Sequence, residues 1–275
     1  MHVELPAVFL FSLPLFYTME MWEASLSLPP QRLLAYLAVT FLLLMGYNKY
    51  AGLHPTAKWT EIITDSVEEI GLGMLLSLAV LHSIGQLNWA DHSLHDNLSK
   101  IIVQAMPVAI GISIGTAQLQ SGDDEKEKSQ KDKKTDDVMP GSSTFSGRFI
   151  LAICGTVVIA GNIAPTEEVQ RIAVNSNMFS LLILIIESMI LGAVILFFSD
   201  FKASVPISGN GLYIKILQHT VTTYFACLLA SFLMLWFFGQ LNDTGPFTGL
   251  AEIIVLGFPA MLGASAGRLL IKNGS

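Results

Sequence analysis

The chain has 275 residues, of which 52% are apolar and only 13% are charged, whereas an average soluble domain has roughly 25% charged residues. This composition excludes a soluble globular protein and predicts an all-α integral membrane protein that has the lipid bilayer as a partner. The formal net charge of −7 says little about other partners, because many of the charges lie in one segment. No nucleic-acid partner is expected.

The two cysteines, Cys154 and Cys227, each lie inside an apolar run. They provide neither a disulfide framework nor a paired-cysteine metal or redox site, so each is interpreted as a small buried hydrophobic residue. No cofactor is expected.

Eight apolar runs approach the roughly 20 residues that one helical crossing of a bilayer requires. The first is interpreted as a span and not as a signal peptide, because its flank MHVE contains no lysine or arginine and no small-residue cleavage pair follows. The eight predicted spans cover residues 5–22, 31–47, 67–87, 99–119, 147–165, 178–199, 212–239 and 248–271.

Eight crossings place both termini and the even-numbered connections on the same side of the membrane. That side holds twelve of the fifteen lysine and arginine residues. Because basic residues concentrate in cytoplasmic loops, both termini are predicted to lie in the cytoplasm.

Residues 120–146, QSGDDEKEKSQKDKKTDDVMPGSSTFS, are polar, mixed in charge and poor in apolar side chains. Such a segment cannot bury enough apolar surface to fold, so a disordered cytoplasmic linker is predicted. It separates a first domain, residues 1–119, from a second, residues 147–275.

Two ten-residue segments share a pattern of proline, glycine and serine. MPVAIGISIG at 106–115 and FPAMLGASAG at 258–267 both contain P-x-x-x-G-x-S-x-G, at an offset of 152 residues, and GQLN at Gly85 recurs at Gly239 with an offset of 154. The domains are therefore interpreted as two four-helix repeats. An even number of crossings gives both copies the same topology, so the repeats are parallel and related by a pseudo-twofold axis along the membrane normal.

The proline and glycines of this pattern lie four residues apart and form one stripe on a helix, which lets helices approach closely in lipid. Ordinary packing within each repeat and contact at the axis or with a second subunit are both open. A pore or gate with the serines facing it is the functional alternative. The residues concerned are Pro107, Gly111, Ser113, Gly115, Pro259, Gly263, Ser265 and Gly267.

Paired carboxylates end the first and fifth predicted spans. Thr18-x-Glu20 recurs as Thr166-x-Glu168 at an offset of 148, with Glu167 beside the second carboxylate. Symmetry-related carboxylates with hydroxyl neighbours are suited to attracting cations or binding protons. The alternative is that they are ordinary residues of the membrane interface.

Acidic residues also form a stripe on one helical face at the entry to the third span. This stripe predicts a water-exposed path on the cytoplasmic side, with Asp65 and Glu69 lining the ion pathway; the alternative is a helix that lies in the interface with its polar face toward water. The acidic stripe consists of Glu61, Asp65, Glu68 and Glu69, and its counterparts in the second repeat are Lys215, His219, Thr222 and Thr223.

Glu187 lies in the middle of the sixth span, in LLILIIESMILG. A carboxyl group at this depth must be relieved by a partner, by water or by a proton. A role in the ion pathway is therefore favoured over packing.

The external loop WADHSLHDN brings together Asp91, His92, His95 and Asp96, side chains that bind metals or respond to pH. The same residues match a helix-capping box, with Ser93 as the N-cap and Asp96 three positions later. Capping is the favoured interpretation, because the spacing is not that of a specific metal site.

No Walker A, HExxH, G-x-G-x-x-G or G-x-S-x-G elbow motif occurs outside the spans. An enzyme is therefore not expected.

The segments LPLFYTMEMW at 13–22 and NIAPTEEVQRIA at 162–173, together with eight spans and a charged central linker, resemble a family of bacterial integral membrane proteins of unknown function. The resemblance covers essentially the whole chain. It implies the fold and a location in the bacterial inner membrane, and it carries no functional residues.

The leading hypothesis is a channel or transporter for a small inorganic cation or proton, assembled as a homo-oligomer. The alternative is a membrane sensor or scaffold that binds a protein partner through the linker or the external loop. An enzyme that modifies lipids comes third.

Overall fold

The structure is a computed structural model that describes residues 18–51, 58–87, 89, 93–128, 145–196, 211–242 and 244–269. Within these ranges the side chains of 115–128, 211–215 and 268–269 are left out of the description. The described residues form helices and connecting turns, with no strand. The helices are α1 Met19–Leu26, α2 Pro30–Ala51, α3 Trp59–Ser83, α4 Leu94–Lys128, α5 Phe145–Ile163, α6 Glu167–Asn175, α7 Met178–Leu196, α8 Gly211–Phe238 and α9 Pro246–Leu269.

Six of the described helices, α2, α4, α5, α7, α8 and α9, are long and apolar enough to cross a membrane. The predicted all-α membrane fold class is thus confirmed. The first predicted span, residues 5–22, lies mostly outside the described residues. The third, residues 67–87, falls in α3, which is rich in carboxylates and is not among the six, so the count of eight stays a prediction.

Helix boundaries differ from the predicted spans at three places. Thr18 and Thr166 were expected to end spans, but each has an extended backbone and is the N-cap of a short helix, α1 or α6. The carboxylates that follow them therefore open these helices, because an extended residue breaks the chain direction before the new helix starts. Helix α4 continues past residue 119 to Lys128, into the segment predicted to be the linker.

The chain divides into two compact units, and the boundary between residues 143 and 144 falls within the predicted linker. Unit 1 contains α1 to α4, and unit 2 contains α5 to α9. In unit 1, α4 contacts each of the other three helices. A hydrophobic cluster lies between α1, α3 and α4, formed by Trp22, Leu81, Leu87, Ile101, Val108 and Ile112.

In unit 2, α9 contacts α5, α6, α7 and α8. Its contact with α5 is made backbone to backbone, since a Cβ on Gly263 would overlap the Gly155 carbonyl and a Cβ on Gly155 would overlap the Gly263 carbonyl. Gly267 lies against Gly155 and the Leu151 carbonyl in the same way. The small residues of the repeated pattern thus pack α9 onto α5 inside unit 2, which is one of the alternatives that the sequence left open.

The two units share local features at matching positions. Gly85 and Gly239 both follow a long helix with a positive φ, +74° and +78°, a conformation that favours glycine. Ser77 and Ser231, eight residues earlier in each unit, are both completely buried. These features support the interpretation as a repeat, which stays a prediction.

Candidate functional site

A polar cluster lies among the helices of unit 1 and is centred on Glu69 of α3. Asn48 of α2 donates from Nδ2 to Glu69 Oε2 at 2.8 Å and to Ser66 Oγ at 3.2 Å. The Ser113 hydroxyl of α4 also faces the Glu69 carboxylate. Because Asn48, Ser66 and Ser113 are all buried, three helices together enclose this carboxylate.

The local sequence of α3 explains why Glu69 turns inward. Ser66, Glu69, Gly73 and Ser77 follow one another at helical spacing of three or four residues, which places them on one side of the helix. Gly73 brings that side against α4, because a Cβ there would lie 2.9 Å from the Ala105 carbonyl oxygen. Glu69 is one turn away from this close contact and is drawn into the packed interior.

The structure divides the acidic stripe that the sequence predicted. Glu68 is exposed, whereas Asp65 and Glu69 are partly buried. Glu61 is exposed and caps α3, because its Oε2 accepts the Lys58 backbone N–H at 3.0 Å. A row of carboxylates four residues apart, 61, 65 and 69, therefore leads from the exposed start of α3 to the enclosed Glu69.

The charged groups around Glu69 are all negative among the described residues. Asp65 and Glu68 add negative charge beside Glu69, and among the described residues Glu69 has no ion pair. Its stabilising contacts are the amide N–H of Asn48 and the hydroxyl group of Ser113, which hold a carboxylate without neutralising it. Chemically, such a group can bind a proton or attract a cation.

The threonine and carboxylate pairs lie at short helices with different surroundings. Glu20 is partly buried in the first turn of α1, whereas Glu168 is exposed in the first turn of α6. Glu167 forms an exposed ion pair with Arg171 at 2.6 Å, four residues later on α6. Acidic residues at a helix start are favoured by the helix dipole, which accounts for these residues without an ion.

Glu187 does not point into unit 2. Its side chain is exposed on α7, next to the exposed Ile183, Ile186 and Ile190. The structure therefore does not place this carboxyl group beside a buried partner within unit 2. Its place in an ion pathway stays a prediction.

The loop that was predicted to be external forms the capping box at the start of α4. Asp96 N donates to Ser93 Oγ at 3.1 Å, and Ser93 N donates to Asp96 Oδ2 at 3.1 Å. His95 is exposed beside them, while Asp91 and His92 lie outside the described residues. Among the described residues no group of three or more His, Cys, Asp or Glu side chains is arranged to hold a metal ion.

The remaining residues of the proline and glycine pattern lie inside their helices. Pro107 and Pro259 are interior to α4 and α9, and Gly111, Ser113 and Ser265 are buried. Gly115 is within α4, in the part for which side-chain surroundings are not described. Of this set, Ser113 is the residue that meets the Glu69 cluster.

A profile of the family described as "Putative integral membrane protein (DUF2391)" matches residues 5–271, nearly the whole chain. The chain belongs to the DUF2391 family. This bears out the resemblance seen in the sequence. No curated protein and no solved structure matches the chain, so the geometry alone has to indicate what this DUF2391 protein does.

Three residues of this DUF2391 protein escaped the sequence interpretation: Asn48, Lys100 and Glu252. Lys100 is 6% exposed, and its Nζ donates to the Gln86 carbonyl at 3.0 Å. Glu252 is 0% exposed. The offset of 152 residues that aligns the proline and glycine patterns also aligns Lys100 with Glu252. The predicted repeat could therefore have drawn attention to these two residues as a matched pair. For Asn48, no pattern in the sequence distinguished it from an ordinary polar residue near a helix end.

Proposed function

We propose that the protein moves protons across the membrane, with Glu69 as the group that binds the proton in transit. The observation that carries this proposal is the contact of the Glu69 carboxylate with the buried side chains of Asn48 and Ser113 in unit 1, with no cationic partner among the described residues. Ionisable groups inside membrane helix bundles are costly and mark ion and proton pathways.

The ligands around Glu69 favour a proton over a metal cation. Ca²⁺ takes about six to eight oxygen ligands, whereas the side chains shown to contact the Glu69 carboxylate are the hydroxyl group of Ser113 and the amide of Asn48, which presents its N–H. A proton needs only one carboxylate oxygen. Of the small cations that the sequence allowed, the proton therefore fits best.

Asp65 provides the connection to water. It lies one helical turn before Glu69, and side chains four residues apart on a helix are neighbours. Glu61 lies one further turn toward the exposed start of α3. Protons entering at this end reach Glu69 through Asp65, and Asn48 holds the Glu69 carboxylate in position to receive them.

The wider setting belongs to the same proposal. The protein acts as a homo-oligomeric channel or transporter in the bacterial inner membrane with both termini in the cytoplasm, and it is not an enzyme. The residues of the proposed pathway that the structure describes all belong to unit 1.

The test is proton flux into liposomes that contain the purified protein and a trapped pH-sensitive dye. Glu69→Gln keeps the shape of the side chain and removes its proton-accepting charge, so we expect flux to fall about 100-fold or more, the scale at which a positioned proton-transfer group acts. Glu68→Gln is the matched control, because Glu68 is the exposed neighbour on the same helix. Its flux should equal that of the wild type.

Flux in Glu69→Gln equal to that in Glu68→Gln would remove Glu69 from the pathway. Parallel measurements with sodium, potassium and calcium gradients test the choice of ion. If folded wild-type protein conducts none of these ions at any pH or voltage, the transport proposal is wrong, and partner binding by a sensor or scaffold becomes the function to test.

A further inference from the structure

Glu252 is a buried carboxyl group in unit 2 that no part of the proposed pathway uses. It is the seventh residue of α9, and its side chain is 0% exposed. Both Oε1 and Oε2 are inaccessible to solvent and have no hydrogen-bond partner among the described residues. In this respect it differs from Glu69, which Asn48 and Ser113 contact.

Two contacts of α9 show which residues of the neighbouring helices lie at the level of Glu252. Gly263 of α9 meets Gly155 of α5, and the Cys227 thiol of α8 donates to the Gly257 carbonyl at 3.3 Å. Since α9 runs antiparallel to both helices, residues near 166 and 232 lie level with Glu252. This region contains the start of α6 and the last third of α8, where the described positions include no basic residue that is buried.

The charged and titratable groups on the helices that pack against α9 face elsewhere. Those of α6 and α7 are exposed. Those at the beginning of α5 and α8 lie toward the opposite end of α9, and the buried thiols and phenol lie between that end and Glu252. The groups are Glu167, Glu168 and Arg171 on α6, Glu187 on α7, Arg148 and Cys154 on α5, and His219, Tyr224 and Cys227 on α8; the side chains of Lys215 and Arg268 are outside the description.

The chemistry of this position admits one ligand. An ionised carboxylate without a partner in a water-excluded interior is strongly unfavourable. A metal cation would require several further oxygen ligands, and neither Glu252 oxygen has a polar neighbour within hydrogen-bonding distance among the described residues. A proton removes the charge, which is the largest part of the cost of burial, and it needs only one carboxyl oxygen to bind.

We propose that Glu252 is a proton-binding site in unit 2, and that its carboxyl group holds a proton in the conformation of the structure. The proton comes from water, and water has to reach Glu252 before the proton can leave. Release is therefore coupled to an opening of the packing around the first turns of α9. The site does not depend on the proposed transport function, since it is defined by binding.

The matching position of unit 1 supports this assignment. Lys100 is likewise the seventh residue of its helix and is likewise buried, but its Nζ donates to the Gln86 carbonyl. A carbonyl can accept from an ammonium group and cannot donate to a carboxylate. The same place in the two units thus holds a buried amine that has a hydrogen-bond partner and a buried carboxyl group that has none among the described residues.

The test is infrared spectroscopy of the purified protein in lipid nanodiscs at neutral pH. A protonated carboxylic acid has a carbonyl stretching band that a carboxylate lacks. We expect this band in the wild type, the loss of one acid group's intensity in Glu252→Gln, and no change in Glu168→Gln, whose carboxyl group is exposed. Glu69→Gln is measured alongside so that any contribution from Glu69 is assigned separately.

A wild-type spectrum without the acid band, or a Glu252→Gln spectrum identical to that of the wild type, would overturn the proposal. If Glu252→Gln does not fold, a titration of the wild type and of Glu69→Gln from acid to alkaline pH decides. An acid band that remains after the exposed carboxyl groups have ionised supports the site, whereas loss of the whole band together with those groups contradicts it. Because the spectra are read without any ion gradient, this outcome is independent of the flux result for Glu69.

Discussion

The side-chain amide of Asn48 and the carboxylate of Glu69 meet across two helices of unit 1, with 2.8 Å between Nδ2 and Oε2. This bond ties the end of α2 to the middle of α3, and it holds the carboxylate toward Ser113 of α4. When Glu69 is ionised, this is a hydrogen bond to a charged group, the class that contributes most to stability. The cluster is therefore expected to affect both the stability of the protein and proton binding by Glu69. Different variants test these two effects.

Replacing Asn48 by Ala leaves the Glu69 carboxylate partly buried without its amide donor. We expect a loss of about 1–3 kcal/mol in the free energy of unfolding, the usual cost of leaving such a group unsatisfied. Denaturant unfolding in detergent measures it. Asn175→Ala is the control, because Asn175 is exposed and bonds only the carbonyl of its own helix. An Asn48→Ala loss no larger than that of the control would show that the bond does not stabilise the native state.

A double-mutant cycle on Asn48→Ala and Glu69→Ala separates the pair from its surroundings, because neither alanine can form the hydrogen bond. If the two side chains interact as the structure shows, the second change costs less when the first is already present. We expect a coupling of roughly 1 kcal/mol, within the range for contacting residues. Additive effects of the two changes would mean that the stability lost in Asn48→Ala does not come from its bond to Glu69.

Two glycines on α3 offer a matched test of its close contact with α4. A Cβ on Gly73 would lie 2.9 Å from the Ala105 carbonyl oxygen and 3.0 Å from the Ala109 Cβ, whereas a Cβ on Gly71 meets nothing within 4 Å. Gly73→Ala should destabilise the protein by about 1–3 kcal/mol through overpacking. Gly71→Ala should stabilise it by about 1 kcal/mol, because alanine is the better helix former. Equal effects of the two changes in thermal unfolding would contradict this packing.

The capping box before α4 predicts a stability effect without a metal. Ser93→Ala removes the hydroxyl that accepts the Asp96 N–H and should cost about 1 kcal/mol. His95→Ala should leave the midpoint of thermal unfolding unchanged, since His95 is exposed. Addition of zinc should shift neither the wild type nor His95→Ala. A zinc-dependent rise in the wild type that His95→Ala abolishes would support the metal alternative.

Asp65 tests the direction of the proposed path. It is partly buried one turn before Glu69, so Asp65→Asn should lower proton flux by less than Glu69→Gln does, because water can still reach Glu69. The double variant Asp65→Asn and Glu69→Gln should be no slower than Glu69→Gln alone. An Asp65→Asn variant with wild-type flux would mean that protons reach Glu69 by another route.

The sequence by itself determined the class of the protein and most of its helices. Long apolar runs can satisfy their backbone only as helices in a membrane, so six of the predicted spans coincide with described helices that are long and apolar enough to cross a membrane. The Ser93 and Asp96 cap was also readable, because its two hydrogen bonds join residues three positions apart. Each of these features depends on local composition or short spacing.

Only the tertiary structure decided which polar side chains are enclosed. Glu61, Asp65, Glu68 and Glu69 form one acidic stripe in the sequence, yet Glu69 alone receives the amide of Asn48, a residue 21 positions earlier. Glu187 looked central but is exposed on α7, while Glu252 looked ordinary and is completely buried. The reason is physical. The position of a residue along its helix can be counted from the sequence, but whether its side chain is buried depends on which neighbouring helices pack against that side.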